Sequence, residues 1–141
     1  MKERTSSEHP ATMDTMDTVH LYEFAVIRYL PRVEREEFIN IGIIMMCKRR
    51  KWIRVKLRVD ERKLEAFSSP CSAEEVCRQA DLFARIAEGG PAAGHFSELP
   101  VEERFRWLTA EKSACLATSR PHPGITSDLD ATFSRLVDDF L

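Results

Sequence analysis

The sequence predicts an α+β fold in which an N-terminal antiparallel three-stranded β-meander is joined by a later fourth strand and packed against three to four helices. Three observations carry this expectation. Residues 21–59 contain three successive runs rich in β-branched and aromatic side chains, separated by short charged turns. From residue 60 onward the apolar spacing becomes helical. A length of 141 residues with 43% hydrophobic content suits one domain that buries its own core without disulfides or a metal.

The elements follow in order. Residues 1–20 are rich in Ser, Thr, Asp and Met and show no periodicity that would bury a face, so a disordered tail is expected, with the single α+β domain over 21–141. Leu21 to Leu30 carries Tyr22, Phe24, Val26, Ile27 and Tyr29 and is closed by Pro31, which cannot donate to a central ladder. Phe38 to Cys47 is apolar on both faces, as a central strand should be. Simple alternation puts Ile39, Ile41, Ile43 and Met45 on one face and Phe38, Asn40, Gly42, Ile44 and Met46 on the other. In Trp52 to Val59, Ile53, Val55, Leu57 and Val59 alternate with Trp52, Arg54, Lys56 and Arg58, which predicts one core face and one wet, cationic face.

Asp60 is placed to cap a short helix ending at Phe67, with Leu64 and Phe67 inward. Ser72 to Glu75 has capping-box spacing ahead of the stripe Val76, Ala80, Phe83, Ala87, and Gly89-Gly90 ends that helix. Pro100 suits the first turn of a helix running through Trp107 and Leu108. Ala114 to Thr118 reads as the fourth strand. Thr126 or Ser127 would cap a last helix with Leu129, Phe133, Leu136, Val137 and Phe140 inward.

Composition narrows the function classes. The longest uncharged apolar run, Phe38 to Cys47, falls well short of the roughly 20 residues a bilayer span needs. No apolar stretch follows the charged N-terminus, so a cytoplasmic location is expected. Cys47, Cys71, Cys77 and Cys115 form no Cys-x-x-Cys pair and are expected to be reduced there. The net charge of -2 is unevenly placed: residues 21–70 hold 12 basic and 7 acidic side chains, residues 71–141 hold 7 and 12. A metal site is not expected, because the five-residue gap between Cys71 and Cys77 is not knuckle spacing and Cys77 falls on or beside its helix's inward stripe. No cofactor is expected either. Gly89 to Gly94 lacks the lysine of a phosphate loop and follows a helix instead of a strand.

Four stretches taken together resemble a known family: Tyr22-Glu23-Phe24-Ala25-Val26-Ile27-Arg28-Tyr29-Leu30-Pro31, Glu36-Glu37-Phe38-Ile39-Asn40-Ile41-Gly42, Arg104-Phe105-Arg106-Trp107-Leu108 and His122-Pro123-Gly124. They resemble an uncharacterised bacterial family, domain of unknown function 3037, over roughly residues 20–141. The resemblance implies no established activity. It does imply a genomic setting, since members often lie beside a HipA-like kinase, and hence a protein partner of that kind.

The residues themselves suggest several sites. Arg28 and Asn40 are polar residues inside apolar strands, costly to bury unless paired. If their strands form a hairpin they approach one another, with Gly42 leaving space and Glu37 at the rim. Alternatively, Arg28 forms an ion pair with Glu36 or Glu37 and Asn40 organises the turn. Arg104 and Arg106 suit carboxylate or phosphate recognition, but two residues apart on a helix they cannot share a face. Ser119 to Gly124 reads as a rigid loop, with His122 near the N-terminus of the last helix as an anion-binding or structural residue. Ser119, His122 and Asp128 are the side-chain types of a hydrolytic triad, but lie too close in sequence to favour one. Lys48, Arg49, Arg50 and Lys51, with Arg54, Lys56 and Arg58, could track a phosphate backbone, dock an acidic surface, or guard an edge strand.

Three functional readings follow. The first is a non-enzymatic accessory or interaction domain, with a HipA-like kinase as partner. The second is a nucleic-acid-binding module using residues 48–58. The third is a small enzyme or ligand-binding protein whose pocket would need Arg28, Glu37, Asn40, Arg104 and His122 in one cleft.

Overall fold

The strands come first along the chain because the β-rich runs do. The computed structural model describes residues 18–90, 94–110 and 114–141, so most of the tail expected over 1–20 lies outside the described residues. β1 (His20–Tyr29), β2 (Ile39–Cys47) and β3 (Trp52–Leu57) form the antiparallel meander. Four helices follow: α1 (Glu61–Ala66), α2 (Ala73–Glu88), α3 (Val101–Leu108) and α4 (Leu129–Phe140). Between α3 and α4 lie two short strands, β4 (Leu116–Thr118) and β5 (His122–Thr126). The architecture is α+β, built on a five-stranded antiparallel sheet.

One strand exceeds the expected four. The segment read as a loop, Ser119 to Gly124, contributes its end to β5, which pairs with the first half of β1 from His20↔Thr126 to Phe24↔His122. β4 pairs with the second half of β1, from Ile27↔Thr118 to Tyr29↔Leu116. The two short strands therefore line one edge of β1 in succession. Pro123 is tolerated because β5 is an edge strand, where a missing N–H can face away from the ladder.

Alternate residues of the sheet feed two cores. Ala25, Ile27, Tyr29, Ile44 and Met46 pack with Leu64 of α1, Val76, Ala80, Phe83 and Ala87 of α2, and Val101, Phe105 and Leu108 of α3. Val26, Ile43, Met45 and Cys47 pack on the opposite side with Leu129, Phe133, Leu136 and Val137 of α4. Simple alternation along β2 fails at one point. The register passes from Ile27↔Gly42 to Arg28↔Asn40, leaving Ile41 as an extra residue, a β-bulge. Ile39 and Ile41 consequently join the α1 to α3 side with Ile44 and Met46, while Ile43 and Met45 face α4.

The helix ends follow their local chemistry. Ser72 and Glu75 form the reciprocal capping box, and Gly89 closes α2 with a positive φ of 88°. Asp60 caps α1 by accepting from the Arg62 N–H. Phe67 does not turn inward: α1 ends at Ala66, Ser68 adopts a left-handed φ of 53°, and Phe67 is left 39% exposed. The last helix is capped one or two residues later than expected, by Asp128, whose carboxylate accepts from the Ala131 N–H. Thr126 instead ends β5 and accepts the Asp128 N–H. No described helix is long and apolar enough to cross a membrane.

Candidate functional site

Arg28 and Asn40 meet as the sequence suggests, because antiparallel pairing of β1 and β2 makes them direct Cα partners. Both lie on the α4 side of the sheet, Arg28 by alternation from Phe24 and Val26, Asn40 through contact with the last residue of α4. The Asn40 amide donates to the Phe140 carbonyl at 3.4 Å. The Arg28 guanidinium lies over the Phe38 ring, 3.9 Å from its centroid. Arg28 Nε and Asn40 Oδ1 are both buried and make no hydrogen bond among the described residues.

The expected rim and floor of that site differ. Glu37 is ion-paired to Arg35 at 3.2 Å rather than to Arg28. Gly42 leaves no room for a ligand. A methyl at its Cα would stand 2.8 Å from the Lys56 carbonyl oxygen and from Leu57 Cδ2, and 3.0 Å from Ile27 Cδ1. Its missing side chain makes room for the neighbouring strand and the core at the bulge.

His122 joins the same face from β5. It stands opposite Phe24, with ring centroids 5.2 Å apart. Phe24 also packs on Phe140, at 5.7 Å. His122 is therefore near the C-terminal end of α4, not the N-terminus, which Asp128 caps. Gly124 pairs with Tyr22, whose ring occupies the space a Gly124 side chain would need. Arg28, Phe38, Asn40, Phe140, Phe24 and His122 form a continuous band of contacts or pairings on one face of the sheet.

Other expected site residues are engaged elsewhere. Arg104 lies on α3, on the opposite side of the sheet, and its guanidinium passes over Gly89 to donate to the Ser97 carbonyl at 2.9 Å. A five-residue cleft of Arg28, Glu37, Asn40, Arg104 and His122 does not form. Arg106 faces a different direction, as the helical spacing requires, and lines a depression of about 560 Å³ with Lys48, Leu99, Glu103 and Trp107. Ser119 is buried, and its hydroxyl accepts the Val26 N–H at 2.9 Å while donating to the Arg120 carbonyl. With Asp128 serving as a cap, the three triad side chains each have separate tasks.

The cationic face of β3 is less wet than alternation implies. Trp52 meets Phe133 edge-on at 6.3 Å, and Arg54 is ion-paired to Asp130 in the first turn of α4. The acidic C-terminal helix thus takes up part of the basic surface. Lys56, Arg58 and Lys48 to Lys51 remain exposed. His20, at the start of β1, registers that turn. Burial lowers its pKa below 6.5, and the positive charges of Arg50 and Arg49 lower it further against Asp128.

Among the described residues no group of three His, Cys, Asp or Glu side chains could hold a metal ion. The cysteines are free thiols: Cys47 is buried, and Cys77 is exposed, beside the inward stripe of α2 and not on it. Phe38, Phe140 and Asp130 are the site residues that sequence reasoning missed. The signal available for Phe38 was its place beside the charged turn, where a large apolar side chain has little backbone reason to sit.

A family model described as "Protein of unknown function (DUF3037)" matches residues 24–141. The chain belongs to the DUF3037 family. The match takes in every described strand and helix, β1 from Phe24 onward, and so the whole Arg28 to His122 face of this DUF3037 domain. No curated protein matches the chain, and no solved structure does.

Proposed function

We propose that this DUF3037 domain is a non-enzymatic, cytoplasmic interaction module that receives a protein partner on the α4 face, around Arg28. The supporting observation is the stacking of the Arg28 guanidinium on Phe38, with Phe38 42% and Phe140 39% exposed beside it. An arginine held by a ring and bordered by exposed aromatics has the composition that dominates binding energy at protein interfaces. Arg28 Nε makes no hydrogen bond among the described residues, so a partner carboxylate has a guanidinium donor to engage. The partner we name is a HipA-like kinase, and its support is the family resemblance. Co-purification of the tagged full chain with such a kinase encoded beside it tests the reading. Arg28→Ala and Phe38→Ala should each weaken capture at least tenfold with the circular dichroism spectrum unchanged. A wild-type chain that captures no kinase, or variants that capture as much as wild type, overturns it.

A second reading, nucleic-acid binding, is favoured by the positive field that Arg49 and Arg50 exert on His20. It predicts steeply salt-dependent binding that charge reversal at Lys56 and Arg58 weakens. Equal binding by the reversed variant would end it.

A further inference from the structure

The two edges of the sheet differ in composition. β3, at one edge, carries Arg54 and Lys56, charges that discourage the addition of another strand. β5, at the other, reads His122-Pro123-Gly124-Ile125-Thr126 and holds no Lys, Arg, Asp or Glu. Among the described strands it pairs with β1 alone.

The hydrogen bonds of β1 fix which backbone groups of β5 face outward. The Val26 carbonyl accepts the Ser119 N–H at 2.8 Å, the Val26 N–H donates to Ser119 Oγ, and the Leu30 N–H donates to the Cys115 carbonyl. Even-numbered residues of β1 thus turn their backbone groups toward β4 and β5. Tyr22 and Phe24 do so opposite Gly124 and His122, whose own groups point back at β1. Pro123 and Ile125 alternate with these and turn theirs to the free edge. Pro123 offers a carbonyl alone; Ile125 offers both an N–H and a carbonyl.

The side chains on this edge are apolar and uncovered. Ile125 is the Cα partner of Leu21, and the two are 67% and 70% exposed. Alternation from Ala25 and Ile27 puts the pair on the α1 to α3 side of the sheet. Charge then gives the edge a direction. Arg120 precedes β5 and Asp128 follows it, both exposed, and Asp128 keeps extended backbone with φ of -144°.

We propose that the free edge of β5 pairs antiparallel with β5 of a second copy of this chain, about a two-fold axis at Ile125. A two-fold sets the basic end of each strand against the acidic end of the other, so the charges of one edge complement themselves. In this register the two Ile125 residues exchange both backbone hydrogen bonds, and the central pair asks no N–H of Pro123. Leu21 and Ile125 of both copies become one apolar patch, and each His122 stands opposite the second copy's Asp128. The joined sheet ends on a charged β3 at either side, which closes the assembly at two chains.

Sedimentation equilibrium of the full chain over a wide concentration range tests this. Wild type should approach twice the mass of the chain. Ile125→Lys, a change at an exposed side chain, should raise the dissociation constant at least about tenfold with an unchanged circular dichroism spectrum, and Arg120→Glu should raise it less. In a Cys77→Ser background, a short bis-maleimide should link two chains of Ile125→Cys and leave Lys56→Cys, on the opposite edge, unlinked. A wild-type chain that stays monomeric throughout overturns the proposal. So does a dimer that Ile125→Lys leaves intact, or an assembly that grows beyond two chains.

Discussion

Gly42 of β2 and Lys56 of β3 approach so closely that a methyl group on Gly42 would stand 2.8 Å from the Lys56 carbonyl oxygen. A backbone oxygen within a ladder cannot swing aside as the end of a side chain can. Gly42→Ala should therefore cost about 1 to 3 kcal/mol, the usual range for overpacking. Gly124→Ala should cost less, because the obstruction there is the Tyr22 ring, and adding Tyr22→Ala should relieve most of it. Urea unfolding midpoints of the three variants would check the order; a harmless Gly42→Ala would mean that the two strands separate more easily than their register implies.

Ser119 stands where β4 gives way to β5 and supplies the acceptor for the Val26 N–H. Removing the hydroxyl leaves a buried amide without that partner, and such losses cost roughly 1 to 3 kcal/mol. Ser119→Ala should lower stability by that amount, with amide exchange at Val26 accelerated more than at Ile43. Unchanged exchange at Val26 would show that the hydroxyl is dispensable.

The Arg54 and Asp130 pair joins β3 to α4 at the surface, with side-chain exposures of 44% and 72%. Exposed pairs contribute about 0.2 to 1 kcal/mol and weaken with salt. Asp130→Asn should cost no more than that. Arg54→Ala should cost more, since it also removes contacts over Trp52 and Phe133. A double-mutant cycle run at low and high salt isolates the charge term, which should shrink as salt rises.

His20 gives the domain a pH dependence of known sign. Burial, then Arg50 and Arg49, hold its folded-state pKa below the ordinary 6.5. Between the two pKa values the unfolded chain binds a proton that the folded chain does not, so stability rises with pH there. The contribution is fully present above 6.5 and is lost as pH falls through that value toward the folded pKa. Thermal unfolding at about pH 8 and about pH 5 should show a larger fall for wild type than for His20→Gln. Equal falls would assign the pH dependence to other groups.

Much of the local architecture was legible in the residues. The spacing of Ser72 and Glu75 gave the capping box, and the stripe Val76, Ala80, Phe83, Ala87 is the buried face of α2. The pairing of Arg28 with Asn40 followed from a hairpin around a charged turn. Simple alternation along β2 grouped Ile43 and Met45 with Ile39 and Ile41, but the bulge at Ile41 shifts it by one residue and puts Ile44 and Met46 with them instead, and no side chain announces it. Pro121, Pro123 and Gly124 read as a loop because each is a poor strand residue locally. Pairing with β1 overrode that preference, helped by an edge position and by the Tyr22 ring lying over Gly124.

The functional face divides in the same way. The sequence by itself determined that Arg28 and Asn40 interrupt apolar strands, that residues 48–58 are basic, and that four stretches carry a family resemblance, since these are properties of residue type and spacing. Only the tertiary structure decided that Phe140 reaches Asn40 from 100 positions away, that Arg54 is taken up by Asp130, and that Arg104 lies across the sheet from Arg28. The physical reason is that period and propensity are set by neighbours along the chain. Which helix covers which strand is set by burial between distant segments, and β1, paired with β2, β4 and β5, is where those distant segments meet.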